Sequence, residues 1–115
     1  MIRIWCRSKI SKATITGVEL DYEGSITLPP ELMAAADMLA GERVQVLNMN
    51  NGERLETYII EGKPGSGEIL LNGPAAHKGN VGDKVMVLSY ALGDSSEIAP
   101  PKLVRVDENN RVVND

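Results

Sequence analysis

The chain has little with which to build a disulfide or a common type of metal centre. Cys6 is its only cysteine and His77 its only histidine among 115 residues. An intramolecular disulfide needs two cysteines, and zinc centres are built mostly from several histidine and cysteine side chains. We therefore expect no internal disulfide and no bound metal, which fits a reducing cytoplasm.

Aromatic side chains are also scarce, and acidic residues outnumber basic ones by 16 to 12. Phenylalanine is absent, and the aromatic residues are Trp5 and three tyrosines, at positions 22, 58 and 90. The core must therefore be filled mainly by aliphatic side chains, and each tyrosine hydroxyl calls for a partner or a role. The formal net charge of -4 argues against a surface that binds nucleic acid phosphates or anionic lipids. We expect neither nucleic acid nor a membrane as a partner.

No hydrophobic run approaches the length of a membrane span, and no signal peptide is visible. The first residues, Met1-Ile2-Arg3, lead directly into a patterned strand without the apolar stretch that a signal peptide needs. With 43% hydrophobic and 24% charged residues, the composition is that of an ordinary soluble domain. We expect a single cytoplasmic domain over residues 1–115.

Short stretches of alternating apolar and polar residues predict strands along most of the chain. The predicted strands cover residues 2–10, 13–20, 26–28, 43–49, 54–60, 69–71, 84–90 and 103–106. The strong turn signal Asn50-Asn51-Gly52 joins 43–49 and 54–60 into the firmest predicted hairpin. Such a chain is predicted to be mainly β.

One amphipathic helix is predicted after the prolines at positions 29 and 30, ending with a cap at Gly41. Its apolar face consists of Leu32, Ala35, Ala36 and Leu39. Residues 73–79 predict a turn or a short second helix, and the tail 91–115 predicts an edge strand and a frayed end. Many short strands with glycine-rich turns and one or two short helices are typical of a small closed β-barrel.

Five short segments, taken in order along the chain, resemble one enzyme family. They are Lys9-Ile10, Tyr22-Glu23-Gly24-Ser25, Asn51-Gly52-Glu53-Arg54, Thr57-Tyr58 and Asn72-Gly73-Pro74-Ala75-Ala76-His77. The ordered set resembles the pyruvoyl-dependent aspartate α-decarboxylases, also called aspartate 1-decarboxylases, and the resemblance covers nearly the whole chain. It implies a double-psi β-barrel, a homotetramer with active sites between subunits, and L-aspartate as the substrate. The implied product, β-alanine, would supply pantothenate and coenzyme A biosynthesis.

The resemblance also implies that the chain makes its own cofactor by a cut at Gly24-Ser25. The Ser25 hydroxyl would attack the Gly24 carbonyl, and elimination and loss of ammonia would follow. Residues 1–24, the β chain, would be separated from residues 25–115, the α chain, which would begin with a pyruvoyl group. Its ketone would form a Schiff base with the substrate amine, so neither pyridoxal phosphate nor a metal is expected. Whether a maturation factor assists the cut stays open.

The family's functional residues carry over to matching positions in this chain. The implied processing residues are Gly24, Ser25, Thr57 and Asn72, and the implied proton donor is Tyr58. The implied substrate-binding residues are Lys9, Tyr22, Arg54, Thr57, Asn72, Gly73 and Ala75. Arg54 and Lys9 would hold a substrate carboxylate, and we favour the side-chain carboxylate because binding the departing one would stabilise the ground state.

Strand periodicity relates three of these residues. Arg54 and Tyr58 lie four apart on one predicted strand, so they share a face with their Cα atoms about 13 Å apart. Thr57 faces the other side, so its role in processing demands a bulge or the approach of another strand. Tyr90, like Cys6 and His77, is assigned only to packing.

Three positions depart from the family pattern. Ser11 stands where histidine is common, Leu47 where tryptophan is common, and Pro74 where alanine is common. These departures concern the pocket and leave the cut site unchanged. A second glycine-serine pair, Gly65-Ser66, lies in an ordinary glycine and proline loop and is expected to stay intact.

Two other functions are consistent with parts of the sequence. Residues 25–32 and 40–46 resemble the swapped-hairpin barrel of AbrB-like DNA-binding regulators, although Arg43 is the only basic residue in them. A catalytically inactive barrel, kept as a structural or regulatory subunit, is the third alternative. An uncut chain after long incubation would favour either of these over the enzyme.

Overall fold

The structure is a computed structural model that describes residues 1–113. Within this range the strands are β1 Arg3–Thr14, β2 Gly17–Glu19, β3 Ser25–Leu28, β4 Arg43–Asn48, β5 Arg54–Glu61, β6 Leu70–Asn72, β7 Lys84–Gly93, β8 Lys102–Val106 and β9 Val112–Val113. The helix α1 spans Pro30–Ala36, and a 3-10 helix spans Gly73–Lys78. The strands form one sheet in the order β2-β6-β3-β5-β4-β7-β1-β8-β9.

The sheet curls until its distant strands meet. β1 and β2 stand six places apart in the strand order, yet only Ile15 and Thr16 separate them along the chain. A connection this short spans about 10 Å, so the sheet must bend round to bring β2 back to the end of β1. The mainly β prediction, with a small closed barrel and short helices, is confirmed.

Aliphatic side chains fill the interior, as the shortage of aromatic residues predicts. The largest fully buried side chains are Ile10, Ile15, Ile26, Leu28, Leu32, Val44, Val46, Ile59, Ile69, Leu71, Val85 and Val87. Burying each such side chain contributes about 1.5–3 kcal/mol relative to leaving it in water. Ile26 and Leu28 of β3, Ile59 of β5 and Leu71 of β6 belong to this core, which packs β3 between its two neighbours.

The first strand is longer than the sequence pattern predicts. The predicted break between Ile10 and Ala13 is wrong, because β1 continues through it as a bulge. Lys12 takes a left-handed conformation there, with φ of 58°, and the pairing of β1 with β7 shifts register. A bulge interrupts the alternation of buried and exposed residues, which is why the pattern looked like two strands. The second predicted strand is reduced to Gly17–Glu19.

The helix is shorter than predicted and does not end at Gly41. It ends at Ala36, where Asp37 takes a left-handed conformation with φ of 54° and donates its backbone N–H to the Ala34 carbonyl. Arg7 stabilises this end, since its guanidinium donates to the Asp37 carbonyl at 2.7 Å. Leu39, predicted on the apolar face of the helix, is therefore outside it and 70% exposed.

The predicted hairpin of β4 and β5 is confirmed. The two strands pair antiparallel, with Arg43 opposite Tyr58 and Leu47 opposite Arg54. Gly52, with φ of 75°, closes the turn by donating its N–H to the Asn48 carbonyl at 2.9 Å. The left-handed conformation explains the glycine at this position.

The last strands extend the sheet beyond β1. β8 pairs in parallel with β1, and β9 pairs antiparallel with β8 at the edge. The prediction of an edge strand and a frayed end for residues 91–115 includes residues 114 and 115, which lie outside the described residues. Among residues 1–113, no helix is long and apolar enough to cross a membrane.

Candidate active site

Ser25 begins β3, between β5 and β6, and is completely buried. Its hydroxyl donates to the Glu23 carbonyl at 3.2 Å and accepts a hydrogen bond from the Asn72 amide at 2.9 Å. Asn72 lies directly opposite Ser25 because β3 and β6 pair antiparallel in this register. The hydroxyl next to Gly24 is therefore held in one orientation, away from water.

Asn72 also binds a second hydroxyl. Its amide nitrogen donates to the Thr27 hydroxyl at 2.9 Å, and Thr27 points to the same face of β3 as Ser25. Within residues 1–113, no buried side-chain nitrogen or oxygen lacks a hydrogen-bond partner. These three side chains thus form a satisfied polar cluster between two strands, of the kind that fixes a unique arrangement. Thr27 was missed in the sequence, although its spacing of two from Ser25 already placed both on one face.

Gly73 brings the backbone close to residues 22–24, directly before Ser25. It has φ of 61°, and an added Cβ would lie 2.2 Å from the Tyr22 carbonyl oxygen and 2.8 Å from the Gly24 nitrogen. Only glycine fits this approach. Gly24 itself is under no such constraint, since an added Cβ would lie 3.5 Å from Pro74, an ordinary contact distance.

Tyr58 reaches the same segment from β5. Its hydroxyl donates to the Glu23 carboxylate at 3.3 Å. Desolvation, together with the negative charge and hydrogen bond of Glu23, raises the pKa of Tyr58 above its ordinary value of 10.0. The Tyr58 hydroxyl is thus tied to Glu23, the residue that precedes Gly24.

A cavity of about 370 Å³ joins several of the predicted site residues. It is lined by Gly24, Leu55, Glu56, Thr57, Tyr58, Pro74, Ala75 and Lys78. Thr57 and Tyr58 point to opposite faces of β5, whose pairing with β4 continues past both without a bulge. Both nevertheless line the cavity, together with Gly24 and with Pro74, Ala75 and Lys78 of the 3-10 helix.

Arg54 and Lys9 do not join this group within one chain. Neither is among the residues that line the cavity. Arg54 is the first residue of β5, next to the cavity-lining Leu55, and its guanidinium donates to the Gln45 amide oxygen at 3.3 Å. Lys9 lies on β1, paired between Leu88 and Leu103 and three strands away from β5.

Two other tyrosines stand at different distances from the cluster. Tyr22 is 56% exposed and approaches the cluster through its backbone carbonyl. Tyr90, assigned only to packing from the sequence, donates to the same Gln45 oxygen as Arg54, at 2.7 Å. Gln45 thus connects Tyr90 to Arg54, an arrangement that depends on pairing between β4 and β7.

Within residues 1–113, no group of three or more histidine, cysteine or acidic side chains is placed to hold a metal ion.

Comparison with known proteins gives a consistent result. The family model described as Aspartate decarboxylase matches residues 1–113. A protein of Kosmotoga olearia named Aspartate 1-decarboxylase is 51% identical over 98% of this chain and 98% of its own length. Proteins of the same name from Thermoanaerobacter pseudethanolicus and Dehalococcoides mccartyi are 50% and 54% identical, covering 99% and 92% of this chain and 99% and 87% of their own lengths.

Proposed function

The chain belongs to the aspartate decarboxylase family and converts L-aspartate to β-alanine and carbon dioxide, and we propose that it does so with a pyruvoyl group made from its own Ser25. The observation that carries this proposal is the state of the Ser25 hydroxyl. A serine in an ordinary turn faces water, whereas this one is fully buried and held by the Asn72 amide directly after Gly24. The residues present therefore suit a nucleophile that acts within the chain.

In the proposed cut, the Ser25 oxygen bonds to the Gly24 carbonyl carbon. The bond from that carbon to the Ser25 nitrogen breaks, and the hydroxyl proton ends on the freed amine. Loss of the Cα proton and cleavage of the Cβ–Oγ bond then release residues 1–24 with a terminal carboxylate. Water replaces ammonia on the residue left at position 25, which leaves the pyruvoyl group at the head of residues 25–115.

Three residues are proposed to assist the cut. Gly24 lets the backbone bend as its carbonyl becomes tetrahedral, which is a chemical reason for a glycine that packing does not require. Asn72 orients the attacking oxygen through its 2.9 Å hydrogen bond. Thr57, which lines the cavity beside Gly24, is proposed to polarise the Gly24 carbonyl.

For the decarboxylation, a pyruvoyl group at position 25 would supply a ketone for the substrate amine and an acceptor for the electrons released with carbon dioxide. Tyr58, which lines the cavity beside Gly24, is proposed to deliver the proton that replaces carbon dioxide. The residues proposed to contact the substrate at this end of the barrel are Tyr22, Thr57, Asn72, Gly73 and Ala75. Of these, Thr57 and Ala75 line the cavity beside Tyr58.

Arg54 and Lys9 complete the proposed substrate site from a second copy of the chain. Neither lines the cavity of its own chain: the Arg54 guanidinium is bonded to Gln45, and Lys9 lies on a strand three places from β5. On this proposal a carboxylate bound beside Ser25 receives these cations from another subunit. A homotetramer with sites between subunits would provide them, and the side-chain carboxylate of aspartate remains the group we assign to them. We place the enzyme in the cytoplasm, where its product would supply pantothenate and coenzyme A biosynthesis.

The alternatives differ in what they can explain. The DNA-binding resemblance covers about 15 residues of two separate segments, whereas the family match covers residues 1–113. We therefore set the regulator aside. An inactive barrel of the same family would share the fold but release no carbon dioxide from aspartate.

The test of the proposal is activity without an added cofactor. Extensively dialysed protein should decarboxylate aspartate, and borohydride added together with aspartate should abolish activity while fixing an amine to the fragment of residues 25–115. The Ser25→Ala protein, which has no oxygen for the cut, should neither decarboxylate aspartate nor become linked to the amine. A requirement for added pyridoxal phosphate, or full activity after borohydride treatment, would contradict the proposed cofactor.

A further inference from the structure

Thr27 shares the amide that holds the nucleophile. The Asn72 nitrogen donates one hydrogen bond to Ser25 and one to Thr27, both at 2.9 Å. A primary amide carries two N–H groups, so both are used in these two bonds. Ser25, Asn72 and Thr27 are 0%, 2% and 9% exposed, so water does not readily replace a lost partner.

We infer that Thr27 is a positioning residue for the self-cut, which it serves by fixing the Asn72 amide against the Ser25 oxygen. The inference rests on the proposed function. The strand register creates the arrangement: Asn72 lies opposite Ser25, while Thr27 lies two residues along β3 on the same face. Thr27 therefore reaches the amide diagonally and acts on the reacting oxygen through Asn72.

The two restraints on the Ser25 oxygen are unequal. Its bond to the Glu23 carbonyl is 3.2 Å long and ties it only to a residue of its own loop, whereas the bond from Asn72 is 2.9 Å long and ties it to β6. If the Thr27 oxygen is removed, one buried N–H of Asn72 is left without a partner. The amide then gains by turning toward another acceptor, and the Ser25 oxygen loses its firmer restraint.

The side chain of Thr27 allows its hydroxyl to be tested separately from its methyl group. The methyl group packs against Gly62, where an added Cβ would lie 2.9 Å from it. Thr27→Val keeps a methyl group at Gly62 and removes the oxygen, whereas Thr27→Ser keeps the oxygen and removes the methyl group. If the methyl group matters, Thr27→Val should cut faster than Thr27→Ser. If the hydroxyl matters, Thr27→Ser should cut faster than Thr27→Val.

The experiment follows the cut by intact mass in freshly purified full-length protein. Thr27→Val should cut about tenfold more slowly or worse, as expected when a buried hydrogen-bond donor loses its partner. Thr27→Ser should cut within about threefold of the wild-type rate, because the hydroxyl is retained. If Thr27→Val does not fold, Thr27→Ala gives the same comparison against Thr27→Ser.

Thr16, in the connection between β1 and β2, provides a control outside the Asn72 cluster; its side chain is exposed, whereas that of Thr27 is buried. Its hydroxyl donates to the Ile69 carbonyl at 3.2 Å and accepts from the Ile69 N–H at 3.0 Å, so it also makes two hydrogen bonds. Thr16→Val should lower the melting temperature without slowing the cut. The inference is overturned if Thr27→Val cuts at the wild-type rate, if Thr27→Ser is as slow as Thr27→Val, or if Thr16→Val slows the cut as much at equal loss of stability. Failure of the proposed function would look different, because the wild-type chain itself would then stay uncut.

Discussion

Gly73→Ala tests whether the backbone at position 73 lies as close to residues 22–24 as the structure shows. The added Cβ would lie 2.2 Å from the Tyr22 carbonyl oxygen and 2.8 Å from the Gly24 nitrogen, both of them backbone atoms that cannot turn aside. Alanine also has to adopt the left-handed conformation, since φ is 61°, at a cost of about 1–2 kcal/mol. Displacing packed backbone adds about 1–3 kcal/mol. We expect a total loss of about 2–5 kcal/mol, a large part of the stability of a domain this size.

Gly52→Ala separates these two costs. Gly52 has φ of 75°, but nothing lies within 4 Å of an added Cβ, so the variant suffers only the conformational cost. Thermal and denaturant unfolding at one protein concentration should show Gly73→Ala to be the less stable variant, and intact mass should show that it cuts slowly or not at all. Equal stability of the two variants, with normal cutting by Gly73→Ala, would refute the close approach between Gly73 and residues 22–24.

Three further predictions concern single side chains. Tyr58→Phe should still cut but lose most of its decarboxylase activity, measured as β-alanine formed per cut chain, because only the phenolic proton is missing; unchanged turnover would remove Tyr58 from its role. Arg54→Ala should raise KM for aspartate by about tenfold or more and leave the cut rate unchanged, because a carboxylate ligand has no partner until substrate binds; equal loss of both would indicate a folding defect. Burial raises the pKa of Glu42, but hydrogen bonds from Ser89 and Arg7 outweigh burial, and the pKa is lowered from its ordinary 4.5. The stabilisation of the fold by ionised Glu42 is therefore complete above pH 4.5 and is lost as the pH falls through the lowered pKa. The Glu42→Gln protein should be less stable than the wild type near neutral pH, and its stability should fall less when the pH is lowered. Parallel curves of stability against pH for the two proteins would contradict this.

Features that depend on local sequence could be predicted, and those that depend on distant contacts could not. The turn before Gly52 is set by its own residues, so the hairpin of β4 and β5 was predictable. The helix end was not, because Asp37 takes its left-handed conformation in contact with Arg7, thirty residues away. The full length of β1 was not predictable either, because the bulge at Lys12 is a shift in the pairing with β7, which the sequence of β1 alone does not contain.

The candidate site shows the same division. The resemblance to a family singled out Ser25, Asn72 and Tyr58, although no periodicity in the sequence connects them. Threonine is an ordinary residue in a short strand, so Thr27 became informative only when the register placed it against Asn72. The separation of Lys9 from the cavity likewise depends on the strand order, which short alternating segments do not encode.

The most direct test of the proposed function is the mass of the purified chain. The pyruvoyl proposal predicts two fragments, residues 1–24 and 25–115, with the larger one blocked to Edman degradation and lighter by one ammonia than a fragment that begins with serine. Ser25→Ala should leave one uncut, inactive chain, and Ser66→Ala, at the second glycine-serine pair, should cut and turn over normally. A larger fragment that begins with intact serine, or a Ser25→Ala chain that still cuts and decarboxylates aspartate, would contradict the proposal.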